Sequence, residues 1–528
     1  MPPRIILATL NAKYIHASLG LRYLLANMAR HGGADLRAMA VLREFTIRRP
    51  VQEVADALLQ ELGPPTDAVQ IVGLGVYIWN VQQTTALVRL LKAQRPQLRV
   101  VLGGPEVSHE LDTQDVVSLA DHVITGWGDV SFPQLCKALV HGPQPLMKVI
   151  AGVQPPLDEI VLPYDEYDAA DLAHRVLYVE ASRGCPFKCE FCLSALDKTA
   201  WAFDADQFLA ALAALYQRGA RNFKFVDRTF NLKIDASVRI LQFFLDRMAA
   251  QPEAPLQLHF EVVPDHLPER LKAMLAQFPP GVLQLEVGIQ SFNPEVQQRI
   301  ARKQDNATTA ENLRWLVEHS HAHLHTDLIF GLPGETWQSF AQGFDRLHAL
   351  RPHEIQLGVL KRLRGTPLAR RSLPGQPAEF AMVYDAQPPY TVQQTGAVDH
   401  EEVKDFLRLA RYWDLLANSG RFARSMELLL QGESAFAAFA GFANWLWRTT
   451  QDTAGLTPER LVDALFAYLC AQRGLPETVV RDALLADYVG SGARASPAAL
   501  RGCLPRSAPA PAKQAGGERQ MRHRVLPS

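Results

Sequence analysis

From Arg4 to about His141, short apolar runs alternate with stretches in which apolar residues recur every three or four positions. The runs are RIILATL, LRAMAVL, VQIVGLGVYI, LRVVLGG and DHVITG. Between them, SLGLRYLLANMAR, VQEVADALLQEL and VQQTTALVRLLKAQ have helical spacing. Regular alternation of strand and helix predicts a parallel, doubly wound α/β sheet of Rossmann type. Loops at the carboxyl ends of such strands share one edge, where these sheets hold ligands, so the segment 11–20 and the pair Gly103 and Gly104 are expected together.

Pro143, Pro145, Pro155, Pro156 and Pro163 interrupt the alternation, so 1–142 reads as one domain and 143–174 as a linker. A second series follows over 175–372, with strands VLYVEAS, NFKFVD, LQLHFEVV, LQLEVGI, HLHTDLIFG and EIQLGVL. These βα units predict a partial (β/α)6, TIM-like barrel with its chemistry at the carboxyl ends of the strands. The pattern over 373–490 is helical. Its aromatic run Phe436, Phe439, Phe442, Trp445 and Trp447 reads as packed core, because a helical domain must bury an apolar face. Residues 491–528, rich in Ala, Pro, Gly and Arg, read as a disordered tail.

Composition narrows the classes. Lys and Arg total 54 against 55 Asp and Glu, so no global field draws the chain to nucleic acid or an anionic membrane. The stretch Ala435–Trp447 is shorter than the roughly 20 apolar residues of a membrane span, and the first residues lack a signal pattern. Six cysteines in 528 residues are too few for a disulfide framework, and the chain reads as cytoplasmic with reduced thiols.

Three of those cysteines stand together in ASRGCPFKCEFCLSALD, directly after the first strand of the second series. Thiolates from Cys185, Cys189 and Cys192 can take three irons of a cubane, leaving the fourth iron open to a substrate or cofactor. The competing reading is a structural zinc site. Such sites normally draw four protein ligands in two pairs; no second pair exists here, though His174 or His259 could complete one.

The CPFKCEFC segment resembles the C-x3-C-x-aromatic-C signature of the radical SAM superfamily, with Phe191 as the aromatic. The resemblance implies a 4Fe-4S cluster on the three cysteines and S-adenosylmethionine chelating the open iron. It also implies reductive cleavage to a 5'-deoxyadenosyl radical and an external electron donor such as flavodoxin or ferredoxin. GIQSFNPEVQQRIARKQ, HTDLIFGLPGET and IQLGVLKRLRGTPL are similar to segments of the oxygen-independent coproporphyrinogen oxidase and elongator-type branch. On that resemblance Glu261, Gln290, Arg302 and Asp327 would contact S-adenosylmethionine, as carboxylates and an amide suit ribose hydroxyls and Arg suits a carboxylate. The Gly-Gly-Glu of many members is replaced by FVDRTFN. Asp227 is therefore a candidate catalytic residue, either for the cofactor amine or for the substrate, with a helix N-cap as the alternative.

The first domain resembles the cobalamin-binding domain of the cobalamin-dependent branch, with Gly103 and Gly104 at the paired glycines where backbone approaches the nucleotide tail. It lacks the D-x-H-x-x-G motif, so His16 is not assigned as a cobalt ligand. An inherited domain that no longer binds cobalamin is the alternative. Together the resemblances imply cobalamin-dependent methyl transfer to an unactivated carbon of a small-molecule or peptide substrate. Radical rearrangement or cyclisation without methyl transfer, and a non-enzymatic cobalamin or redox sensor, are the competing readings. Methylthiotransfer would need a second cysteine-bound cluster, and the first domain holds only Cys136.

Overall fold

A computed structural model describes residues 4–197, 199–372, 377, 380–493 and 495–504. The chain forms two compact units, one within Met1–Phe260, Lys361–Leu373 and Tyr384–Thr391, the other within Glu261–Leu360, Pro374–Val383 and Val392–Ser528. The division falls inside the segment read from the sequence as a single catalytic core.

The first unit opens with β1 (Ile5–Asn11), β2 (Ala40–Thr46), β3 (Ile71–Gly75), β4 (Arg99–Gly103), β5 (His122–Thr125) and β6 (Val149–Ala151). They form one parallel sheet in the order β2-β1-β3-β4-β5-β6. β1 and β3 are buried along their whole length, as continuous apolar runs in a sheet covered on both faces must be. Ile6, Leu10, Leu74 and Leu102 pack on one side with Leu58 and Leu87, and Ile5, Leu7 and Val101 on the other with Met28 and Phe132. Each such side chain contributes about 1.5–3 kcal/mol of burial energy.

Two features depart from expectation. LRAMAVL is strand only from Ala40, since Ala34–Ala38 is a helical turn. The expected linker 143–174 carries β6, which pairs with β5, and a helix Ala169–His174 opened by a capping box between Asp168 and Asp171. That helix is held by a buried ion group. Arg22 meets Asp171 at 2.6 Å and Glu44 at 2.8 Å, and Glu44 meets Arg175 at 2.6 Å. Removing one member would strand the others without solvent, which typically costs about 3–5 kcal/mol.

The first unit continues with β7 (Leu177–Val179), a short antiparallel pair β8 (Ser182–Gly184) and β9 (Ala200–Ala202), then β10 (Asn222–Phe225) and the start of β11 (Gln257–Val262). β10 pairs in parallel with β7 and β11, aligning Phe223 with Leu177 and Leu258. The second unit carries β12 (Leu283–Gln290), β13 (His323–Phe330) and β14 (Glu354–Val359), again parallel. Burial alternates strictly along β12, with Leu283, Leu285, Val287 and Ile289 inward to the core and Gln284, Glu286 and Gln290 on the more open face.

Five helices follow, from His400–Leu416 to Glu477–Gly490. Phe436, Phe439 and Phe442 are buried, with Phe436 against Phe340 and Phe344 and Phe439 edge-on to Trp413 at 5.0 Å, so these three are core, while Trp445 and Trp447 are half-buried. Part of the expected tail is ordered. Ala498–Leu500 forms a helical turn, Leu500 is fully buried, and Asp463 accepts from the amides of Ala498 and Ala499. Residues 505–528 lie outside the described residues. Among the described residues no helix is long and apolar enough to cross a membrane.

Candidate functional site

The cysteine segment is the excursion of the β8–β9 hairpin. Gly184 pairs with Ala200, so the ladder closes the loop at its neck. Gly184 has φ +88°, and a Cβ there would lie 2.3 Å from the Thr199 carbonyl, so only glycine permits this closure. Cys185 and Cys189 are each 8% exposed, Cys192 is half-buried, and the Cys192 amide donates to the Cys189 carbonyl at 3.0 Å. Burial pushes the Cys185 thiol up, and the Cys192 and Cys189 thiols add to the effect. Phe191 is half-buried between the last two. Among the described residues no three His, Cys, Asp or Glu side chains, the three cysteines included, are grouped closely enough to hold a metal ion. A cubane, which spreads its thiolates over separate irons, fits the donor set.

Asp227 is 3% exposed, with Oδ2 accepting from the Ala181 amide at 2.9 Å and Oδ1 from the Ser182 hydroxyl at 2.6 Å. Burial pushes its carboxyl up to about 7, against the lowering effect of those two bonds. It anchors the strand end that leads into the cysteine loop. It is not a helix N-cap, since the next helical turn begins after Thr229.

One cavity of about 410 Å³ opens at the carboxyl edge of the first sheet. Gly75, Gly103, Gly104 and the Gly126–Asp129 turn form one side, and Glu180, Ser182, Arg183, Gly184, Ser194, Asp197 and Arg228 form the other. The paired glycines are therefore where the sequence put them. Gly104 has φ +112°, and a Cβ there would meet the Val76 carbonyl at 2.5 Å. Such a glycine-lined edge over an apolar floor of Leu7, Val101 and Phe132 fits a ligand that must approach backbone closely, as a corrinoid nucleotide does. His16 is bonded through Nδ1 to the Tyr178 hydroxyl at 2.7 Å and does not line the cavity.

Sequence reasoning missed the group that spans this cavity. Arg183 makes a two-pronged pair with Asp129, at 2.8 and 3.1 Å, and donates through Nε to Glu180 at 2.7 Å. Burial works against its charge, and the Glu180 and Asp129 carboxylates outweigh it, holding the guanidinium well above its usual range. The Tyr23 and Trp127 rings cover it at 4.2 and 4.8 Å. The one sequence signal was Glu180 three residues before Arg183.

The four residues expected at S-adenosylmethionine belong to the second unit. Glu261, Gln290 and Asp327 are half-buried at strand positions, and Asp327 aligns with Gly288 of the neighbouring strand. Gln290 sits at φ +67° beyond a register shift between Gly288 and Gln290, an unusual backbone for a residue with a side chain. The Arg302 guanidinium donates to the Gly288 carbonyl and, at 2.9 Å, to Gln304. Gln290 and Arg302 are thus brought to the same strand end, and His325 lies 3.8 Å from Asp327.

Comparison with known proteins agrees with this arrangement. The radical SAM superfamily model matches residues 179–347, a B12-binding domain model residues 5–136, and a family of unknown function, DUF4080, residues 378–515. The chain carries a radical SAM domain with a B12-binding domain ahead of it. Those two families imply a 4Fe-4S cluster, S-adenosylmethionine and cobalamin as cofactors.

Two curated proteins illustrate the similarity. The uncharacterized methyltransferase PH0819 of Pyrococcus horikoshii is 31% identical over 207 residues, 33% of this chain and 44% of that protein. The 2-(S-pantetheinyl)-carbapenam-3-carboxylate methyltransferase of Streptantibioticus cattleyicolor is 23% identical over 456 residues, 77% of this chain and 65% of that protein. The match thus spans less than two thirds of either relative. The cobalamin-dependent S-adenosylmethionine radical enzyme OxsB, solved with aqua-cobalamin and S-adenosylmethionine, superposes with a TM-score of 0.57 at 11% identity over 92% of this chain and 84% of that one, which establishes a shared fold.

Proposed function

We infer that the chain is a cobalamin-dependent radical SAM methyltransferase acting on an unactivated carbon. The observation that carries the reading is the cavity walled by the glycine edge of the B12-binding domain and by the neck of the cysteine loop. When bound, the cluster and an external reductant such as flavodoxin or ferredoxin would supply the electron that cleaves S-adenosylmethionine, and the corrinoid would carry the methyl group. The protein's own part is geometric. The β8–β9 neck and Asp227 hold the cysteine loop, Gly104 lets the sheet edge pass close to Val76, and Tyr23 and Trp127 cover the Arg183 guanidinium. Glu261, Gln290, Arg302 and Asp327 are proposed as the residues that hold S-adenosylmethionine, and Gly103 and Gly104 as backbone contacts to the corrinoid.

The test is anaerobic reconstitution with iron, sulfide and hydroxocobalamin, followed by reductant and S-adenosylmethionine labelled on the methyl group. The expected result is a brown chain with bound corrinoid that forms 5'-deoxyadenosine and moves label onto the corrinoid. Formation of 5'-deoxyadenosine without label on any acceptor would favour rearrangement or cyclisation. A chain that yields no 5'-deoxyadenosine above background would sink the enzymatic reading in favour of a sensor.

A further inference from the structure

Arg183 stands two residues before the first cysteine and belongs to the neck of the cysteine loop. Its fork is nevertheless spent on Asp129, in the turn that follows β5 of the B12-binding domain. Both residues, with Gly126, Trp127 and Gly184, line the same cavity. The contact is therefore a bridge between the edge at which a corrinoid would sit and the loop that would carry the cluster. Its geometry is stiff in three respects. A planar guanidinium meets a carboxylate at two points, Glu180 fixes the remaining Nε, and the Tyr23 and Trp127 rings prevent sideways displacement. Trp127 in turn meets Trp201 edge-on at 6.0 Å, and Trp201 is paired with Arg183 across the hairpin. A shift of the Gly126–Asp129 turn thus cannot occur without moving both strands of the neck.

We propose that Arg183 is a positioning residue that transmits occupancy of the corrinoid groove to the cysteine loop, so that the two cofactors bind as a coupled pair. The proposal rests on the functional reading above, because it requires both groups to bind. Coupling of this kind is reciprocal: whatever the corrinoid does to the loop, the loaded loop does to corrinoid affinity. A lysine cannot replace the fork, since it offers a point charge with no second prong.

The experiment uses the full chain with its cluster reconstituted, as wild type, Arg183→Lys and Asp129→Asn, titrated with hydroxocobalamin. Two signals are read: the electron paramagnetic resonance spectrum of the reduced cluster, and hydrogen–deuterium exchange over Ser182–Cys192. In the wild type, corrinoid is expected to shift the cluster spectrum and to slow exchange in that peptide by about five-fold or more, the lower end of ordinary coupling factors. In both variants corrinoid affinity should fall, because both side chains line the groove, and at corrinoid concentrations that saturate each variant the spectral shift and the protection should be lost. Variants that respond to corrinoid as the wild type does would overturn the proposal. So would a wild type that binds corrinoid with no change in either signal, a result obtainable even if the variants fail to fold. A wild type that takes up no corrinoid refutes the functional reading itself.

Discussion

Replacing Asp227 by Asn isolates the cost of a buried carboxylate. The folded chain keeps this carboxyl protonated up to about pH 7, whereas an unfolded aspartate releases its proton near about 3.9. Between those values the folded state holds the extra proton, so the contribution of Asp227 to stability falls as pH rises and reaches its full penalty above about pH 7. A shift from 3.8 to about 7 corresponds to about 4 kcal/mol at 1.36 kcal/mol per unit. The amide is isosteric, can accept from the Ala181 amide and can donate to the Ser182 hydroxyl, so the anchoring bonds survive. Urea unfolding of wild type and Asp227→Asn should therefore show a difference near zero at about pH 4, growing to about 4 kcal/mol in favour of the variant at about pH 8. A variant less stable than the wild type at high pH, or a difference that does not change with pH, would refute the account of this residue.

Other expectations follow from single contacts. Cys189→Ala should abolish the brown colour and the cleavage of S-adenosylmethionine, measured as iron per chain and 5'-deoxyadenosine; full retention of iron would sink the cluster assignment. Gly104→Ala forces a Cβ to within 2.5 Å of the Val76 carbonyl at φ +112°, a strain of about 1–3 kcal/mol, and should weaken corrinoid uptake while leaving iron content unchanged, read by absorbance titration. Phe439→Ala removes a ring that is 1% exposed and edge-on to Trp413. It should cost about 3–5 kcal/mol, seen as a lower unfolding midpoint of the helical signal by circular dichroism.

The parts of this protein that were legible in the sequence are those where one residue's role depends on its near neighbours. β1, β3 and β4 are continuous apolar runs, β12 alternates with period two, and the cysteine spacing is itself the chemistry. What escaped depends on distant partners. β6 and the β8–β9 pair have three residues per strand, too short to show any period, and their ladders form because β5 and the hairpin neck present open edges. Arg183 gains its meaning from Asp129, 54 positions away, a pairing no local pattern encodes. Asp227 was noticed for standing where a familiar acidic motif was missing, but only the fold shows both of its oxygens committed to Ala181 and Ser182. The left-handed backbone of Gln290 was equally hidden, because it arises from a register shift against β13.

The ladder that closes the cysteine loop also bears on how the metal centre is built. With Gly184 joined to Ala200, the ends of the loop are held before any iron arrives, and the entropy of ring closure has already been met by folding. The three sulfurs then face an incoming ion at the high effective concentration of an intramolecular reaction, so the first capture greatly favours the next. Cluster assembly on this chain should accordingly be concerted, with iron-free and fully loaded molecules dominating a partial titration and singly loaded ones scarce.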